Sequence, residues 1–333
     1  SFSVDQVNGV VNETPDTAKF YINTLSRKEN RLCVVEEYTG TGCGYCPRGW
    51  VGMEAVKAQK SDKAVVLALH QFNSQDAMYL SPSNYAWVGF SGAPQCAIDR
   101  KIYPDPYYGM KKEGILEDVD IMNQYLPAVA VEVEGAFVDD TYKKIDVKAT
   151  TEFLTTADGY TLAFALTADS VYGTTSGFKQ SNYFASSNKG NNVLSSMPDL
   201  AKFYKGGEWA KSSVALTFND VVIASSYVNY ETRVPEFGLM EFGQTAERTY
   251  TLTMPTKSVL VNALRYDQLF VTALVIDELG QIVNAARAHI PYGDPQAVEN
   301  TSVEQPAQKL LINGQLQIRR GDNCYDALGR IVK

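Results

Sequence analysis

At 333 residues the chain is long enough for about two or three domains that each bury a core, so it is no small disulfide-stapled scaffold. Apolar residues make up 45% and charged residues 20%, ordinary for a globular protein, and no apolar run approaches the roughly 18 residues that span a bilayer. Thirty Lys and Arg against 38 Asp and Glu leave a net charge of −8, which repels polyanions and argues against nucleic acid as a partner.

The chain opens SFSVDQVNGV, with neither an initiating Met nor an apolar signal region, which reads as a natural start already removed. Residues 1–30 alternate short β-like runs with polar turns. They read as an N-terminal β segment, either the end of a truncated β domain or a plain extension. From 31 to 126 strands alternate with helices. LCVVEEYTG is a strand, CPRGWVGMEAVKAQK a helix with Trp50, Met53 and Val56 on one side, and KAVVLALHQF a second strand. A third strand follows SGAPQ, and ILEDVDIMNQYL places Leu116, Val119, Met122 and Leu126 at helical spacing. This alternation predicts an α/β sheet domain.

Over 127–293 the period becomes two. Val131 and Val133 alternate with Glu132 and Glu134, and Ile145, Val147 and Ala149 with Lys144, Asp146 and Lys148. Further strands at YTLAFALTAD, VALTFNDVVIA, RTYTLTM, LFVTALVID and QIVNAARAHI predict an immunoglobulin-like antiparallel β-sandwich of about seven strands. A Ser/Asn/Gly-rich insertion at 173–212 interrupts them. The adjoining Tyr172 and its own Phe178, Tyr183, Phe184, Phe203, Tyr204 and Trp209 either anchor it to the sandwich or line a binding surface. Residues 294–309 read as a polar linker, and 310–333 as a β hairpin tail turning at Asn313-Gly314. Arg320-Gly321-Asp322 reads as a turn, although it spells an adhesion tripeptide.

Five cysteines (Cys33, Cys43, Cys46, Cys96 and Cys324) are too few to build the fold, and their odd number leaves one without an intrachain partner, for which Cys324 is the candidate. Cys33 and Cys96 read as small core residues. Only Cys43-Gly-Tyr-Cys46 has a chemically telling spacing. At a strand-to-helix junction, Cys43 at the helix N-terminus would be the nucleophile, its thiolate favoured by free backbone N–H groups and the helix dipole. Cys46, one turn on, would resolve a mixed disulfide; Pro47 suits a first helical turn, and Arg48 adds positive charge. Two alternatives stay open: half of a zinc site, for which His70 and His289 are the sole histidines and no second Cys-x-x-Cys exists, or an inert structural disulfide. No metal ligand set and no cofactor is called for. His70, at a strand end, is either a polarising group or an ordinary hydrogen-bonded residue.

The stretch VVEEYTGTGCGYCPRG resembles the active-site segment of thioredoxin-like domains, and more narrowly that of exported bacterial outer-membrane proteins of the twenty-eight-kilodalton type. The resemblance covers about 31–126 for the first group and extends through QIVNAARAHI for the second. It implies a multidomain α/β plus all-β chain: a thioredoxin-like domain, then the β-sandwich and the small C-terminal hairpin. It further implies that Pro94 is the cis-proline facing the dithiol and that Glu37 accepts the resolving thiol's proton; otherwise Pro94 is a trans turn proline and Glu37 an exposed strand residue. Gly42 departs from the resemblance, standing where both groups carry Trp, and Gly40, Gly42 and Gly44 together make the approach to Cys43 flexible. The final CYDALGRIVK resembles a terminal β region that implies sorting or surface attachment.

The expected function is thiol–disulfide exchange with protein thiols, disulfides or a redox partner protein, in the periplasm or at the outer membrane or cell surface. The competing expectation is a surface binding or adhesion protein, engaging a surface ligand, in which this unit is only scaffold.

Overall fold

The computed structural model describes residues 29–85, 89–226 and 236–293, short stretches at 2–3, 6–13, 17–18 and 27, and the backbone of strands within 308–332. Ala64–His70 (β2) is a near-continuous apolar run and Cys33–Thr39 (β1) an apolar start followed by two glutamates; both are buried along almost their whole length, as parallel strands covered on both faces are, and they pair in parallel. Pro47–Lys60 (α1) connects them, and Gln95–Ile98 (β3) pairs antiparallel on the far side of β1. Ile115–Met122 (α2) follows, burying Ile115, Val119 and Met122. This helix ends at Met122, so Leu126, placed by periodicity on the same stripe, lies beyond it and is exposed.

The later strands do not form a separate sandwich. Thr161–Ala168 (β6), Val221–Ser225 (β9), Leu269–Ile276 (β11) and Ile282–His289 (β12) join the first three in one seven-stranded sheet, ordered β12-β11-β6-β9-β2-β1-β3. The junction is parallel, with Val221 opposite Ala68 and the Ala68 amide donating to the Asp220 carbonyl at 2.9 Å. Val129–Phe137 (β4), Lys144–Phe153 (β5) and Thr245–Thr253 (β10) form a three-stranded antiparallel sheet, ordered β10-β5-β4. Its Phe137, Ile145, Val147 and Ala149 share a core with Leu269, Val271 and Ala273 of β11.

The expected fold class is therefore corrected. A thioredoxin-like α/β domain followed by an independent immunoglobulin-like sandwich does not describe a β-rich chain whose central sheet draws strands from both halves. The reason is geometric: period and length identify a strand, but neither says which edge it pairs with. The C-terminal hairpin is likewise corrected, because Gln308–Ile312, Gln315–Arg320, Asn323–Asp326 and Ile331–Val332 make a four-stranded sheet. At the N-terminus, Phe2–Ser3 pairs with Thr17–Ala18 and Gln6–Val7 with Val10–Val11. The side chain of Cys324, the residues Asn313, Gly314, Gly321 and Asp322, and most of the 294–309 linker lie outside the described residues.

One face of the large sheet packs Cys33, Val35, Val66 and Ile98 against α1 and α2. The other packs Val34, Val65, Leu67 and Ala97 against Leu80, Tyr85 and Phe90. Strand alternation thus sends Glu37 toward α1 and Glu36 to the opposite face. There Glu36 is buried, taking the Arg100 guanidinium at 2.5 Å and the Tyr85 hydroxyl at 2.7 Å.

Candidate functional site

Cys43 and Cys46 form a disulfide in the turn between β1 and α1, with Cα atoms 5.3 Å apart. Cys46, rather than Cys43, is the N-cap of α1, and its carbonyl accepts the Trp50 amide at 2.9 Å. Pro47 opens the helix, where its missing N–H is no loss. Cys43 lies one turn earlier, its amide donating to the Gly40 carbonyl at 3.0 Å. Arg48 does not stand free beside the sulfurs: its guanidinium pairs with Asp105 at 2.9 Å.

Glu37 is 2% exposed and its Oε1 has no hydrogen-bond partner. Burial, only partly offset by the Thr39 side chain and reinforced by Glu54 and Asp105, pushes its carboxyl up to about 8. Its position is marked by Gly49, three residues past Cys46 and so on the same helix face. A Cβ at Gly49 would fall 2.1 Å from Glu37 Oε1 and 3.0 Å from Pro94 Cβ. The buried carboxyl and Pro94 therefore pack against the first turn of the helix that Cys46 caps. The Ala93–Pro94 peptide is cis. Cys96, directly across from Glu37 in the β1–β3 pairing, is buried, donates to the Pro104 carbonyl at 3.3 Å, and is held as a thiol by desolvation and by the neighbouring carboxyl. Cys33 is also free and buried, and desolvation pushes its thiol up to about 12.

His70 at the end of β2 is buried, 2.8 Å from Asp76 through Nδ1 and edge-on to Phe218. Asp76 also accepts the Thr41 amide at 2.7 Å and the Met78 amide at 2.8 Å. Burial raises the Asp76 carboxyl, but His70 and these two amides outweigh it, so the net shift is downward. Asp76 thus braces the turn from below. Its position six residues past His70 gave no motif to read.

The insertion covers the turn from above. Gln180 Nε2 donates to the Cys43 carbonyl at 2.8 Å, the Ser181 amide to Thr41 at 2.7 Å, and the Tyr183 amide to Gly44 at 2.9 Å. The predicted aromatics divide: Phe178, Phe203 and Tyr204 are buried, while Tyr172 and Tyr183 are exposed. Anchoring is to α1, where Trp50 meets Phe203 and Trp209 edge-on, and not to a sandwich. Gly42 and Gly44 are close-approach positions. A Cβ at Gly42 would fall 2.1 Å from Asn73 Nδ2, and one at Gly44 2.4 Å from the Tyr183 ring. Flexibility is not their role, because the chain is packed on both sides of the turn.

Among the described residues no group of three or more His, Cys, Asp or Glu side chains is placed to hold a metal ion, and no helix is long and apolar enough to cross a membrane. His289 stands on another strand from His70, its Nε2–H donating to the Asp267 carbonyl at 3.0 Å.

No family model and no curated protein matches the chain. Among solved structures it is similar to HBP35 of Porphyromonas gingivalis, at 13% identity over 93% of this chain and 91% of that one, with a TM-score of 0.48. A protein from Agrobacterium tumefaciens is 16% identical over 81% of this chain and 100% of that one, with a TM-score of 0.41.

Proposed function

We propose that this protein carries out thiol–disulfide exchange with protein partners in the bacterial cell envelope, through Cys43 and Cys46. The observation that carries the reading is the disulfide at the start of α1 above a buried carboxyl, Glu37, with an unpartnered oxygen. The resemblance of residues 34–49 to thioredoxin-like active-site segments supports the same reading. In the reduced protein the Cys43 thiolate attacks one sulfur of a substrate disulfide and expels the other as a thiolate, leaving a mixed disulfide. Cys46 then loses its proton and attacks the Cys43 sulfur, closing the disulfide and releasing the second substrate thiolate. Two electrons pass to the substrate, and its two thiolates take up two protons. A carboxyl titrating near 8 exchanges protons at neutral pH, which suits Glu37 to receive the Cys46 proton. Pro94, against the same helical turn, shapes the ground beside the sulfurs.

The test is turnover of a model disulfide by reduced protein, together with Cys46→Ala. The variant is expected to accumulate mixed disulfides through Cys43, visible by mass, while the parent releases product. Absence of both turnover and adducts would remove the reading. The near-complete burial of the two cysteines favours one second reading, a framework disulfide in a surface binding protein. Ligand affinity unaffected by replacing both cysteines would then be the expected result.

A further inference from the structure

The face of the Cys43–Cys46 turn that a substrate must approach is occupied by another part of the same chain. Lys179–Ser181 (β7) pairs antiparallel with Ser213–Ala215 (β8), and its other edge lies along the turn. Ser181 at the end of β7 and Tyr183, in the turn that follows, aim their amides at the Thr41 and Gly44 carbonyls. Gln180, just before them and 1% exposed, sends its side-chain amide to the Cys43 carbonyl, which lies between those two acceptors in the turn. Buried amides cost free energy unless they are bonded, so a glutamine lodged in this way marks a matched contact rather than a loop resting on a surface. Asn182 is equally matched on the other side, donating to the Phe203 and Trp209 carbonyls at 2.9 and 3.1 Å. The near end is held by Thr41 Oγ1 on the Gly177 carbonyl at 3.0 Å. The far end is held by the aromatic cluster on Trp50. Cys43 is left 3% exposed and Cys46 0%.

We propose that residues 179–184 are an internal strap that must lift from the Cys43–Cys46 turn before a polypeptide can react there. An extended polypeptide carrying the thiol or disulfide then takes the strap's place against the carbonyls of Thr41, Cys43 and Gly44. This rests on the exchange reading for its purpose, though not for its geometry. In the oxidised protein the gated step is attack of an incoming thiolate on the Cys43 sulfur: the new S–S bond forms as the Cys43–Cys46 bond breaks, and Cys46 leaves as thiolate and takes a proton. A second thiolate frees Cys43 and completes the two-electron reduction.

The experiment measures how fast the oxidised full-length chain is reduced by dithiothreitol and by a reduced cysteine-containing peptide. Gln180→Ala combined with Tyr183→Pro removes two of the three donors to the turn. Reduction is expected to accelerate about tenfold or more with both reagents, and more for the peptide, as a local opening equilibrium shifts. The unchanged protein supplies a second readout needing no variant: its reduction rate is expected to rise with urea well below the unfolding transition. Rates that are flat in urea, or the same in a folded variant and the parent, overturn the strap. If the loosened variant is reduced quickly yet its dithiol turns over no model disulfide, the exchange reading fails and the strap stands. If both proteins are reduced equally fast and both turn over, the strap fails and the exchange reading stands.

Discussion

Glu37 shows how much one residue's chemistry depends on its surroundings. In VVEEYT two adjacent carboxylates read as a wet strand edge or as one buried acid, and alternation alone assigns them to opposite faces without saying whether either face is dry. Both are buried, but they are satisfied differently: Glu36 has a guanidinium, and Glu37 has an orphan oxygen. For Glu37 the folded protein binds its proton more tightly than the unfolded chain, because the pKa is raised to about 8 by burial. Stability should therefore be greatest below the unfolded value near 4.5, fall as pH rises from there to about 8, and then level off. Unfolding free energies from denaturant titrations at pH 5 and pH 8.5 should differ by on the order of 2–4 kcal/mol, and Glu37→Gln should flatten that slope. Parallel pH curves for the two proteins would count against a neutral Glu37. If exchange uses this group, the rate limb near pH 8 should vanish in the same variant.

Helix α1 was legible as a helix, but its faces were not. A stripe of Trp50, Met53 and Val56 implies one buried side, whereas Pro47, Gly49, Val51, Gly52, Met53 and Val56 are all buried. The sheet, the 104–107 loop and the insertion each cover part of it. Gly52 is the tightest point: an added Cβ would fall 1.8 Å from the Pro106 carbonyl oxygen, a backbone atom with little room to yield. Gly52→Ala improves intrinsic helix propensity by about 1 kcal/mol, yet overpacking should dominate. A net loss of about 1–3 kcal/mol in chemical denaturation is expected, and a gain would show that α1 can slide away from Pro106. The glycines of the dithiol turn follow the same logic. Sequence shows that a side chain is missing at Gly42, and only the fold shows that Asn73 occupies its space.

At the level of the molecule, the continuous sheet makes the two halves of the chain depend on each other. Lys57 of α1 and Arg287 of β12 both bond Asp169 and Asp220, whose carboxylates lie at the ends of strands from the later half. Residues 29–126 alone would leave one edge of β2 unpaired and its core face open, an exposed apolar strand edge. That fragment should show no cooperative melt, while the full chain should lose sheet signal and tryptophan environment in a single transition; a cooperative fragment would mean that the junction at β2 and β9 is dispensable. The sequence by itself determined the elements and the paired cysteines: the β1 strand and the apolar run of β2, the alternation of β4 and β5, and the Cys-x-x-Cys ahead of Pro47. Those depend on periods and spacings of a few residues, set by backbone geometry. Only the tertiary structure decided that β9 completes the sheet of β2, that Glu37 is dry, and that Gln180 closes over Cys43 across 137 residues. Such contacts are chosen by shape and by the pairing of buried polar groups among distant segments, which leave no periodic trace along the chain.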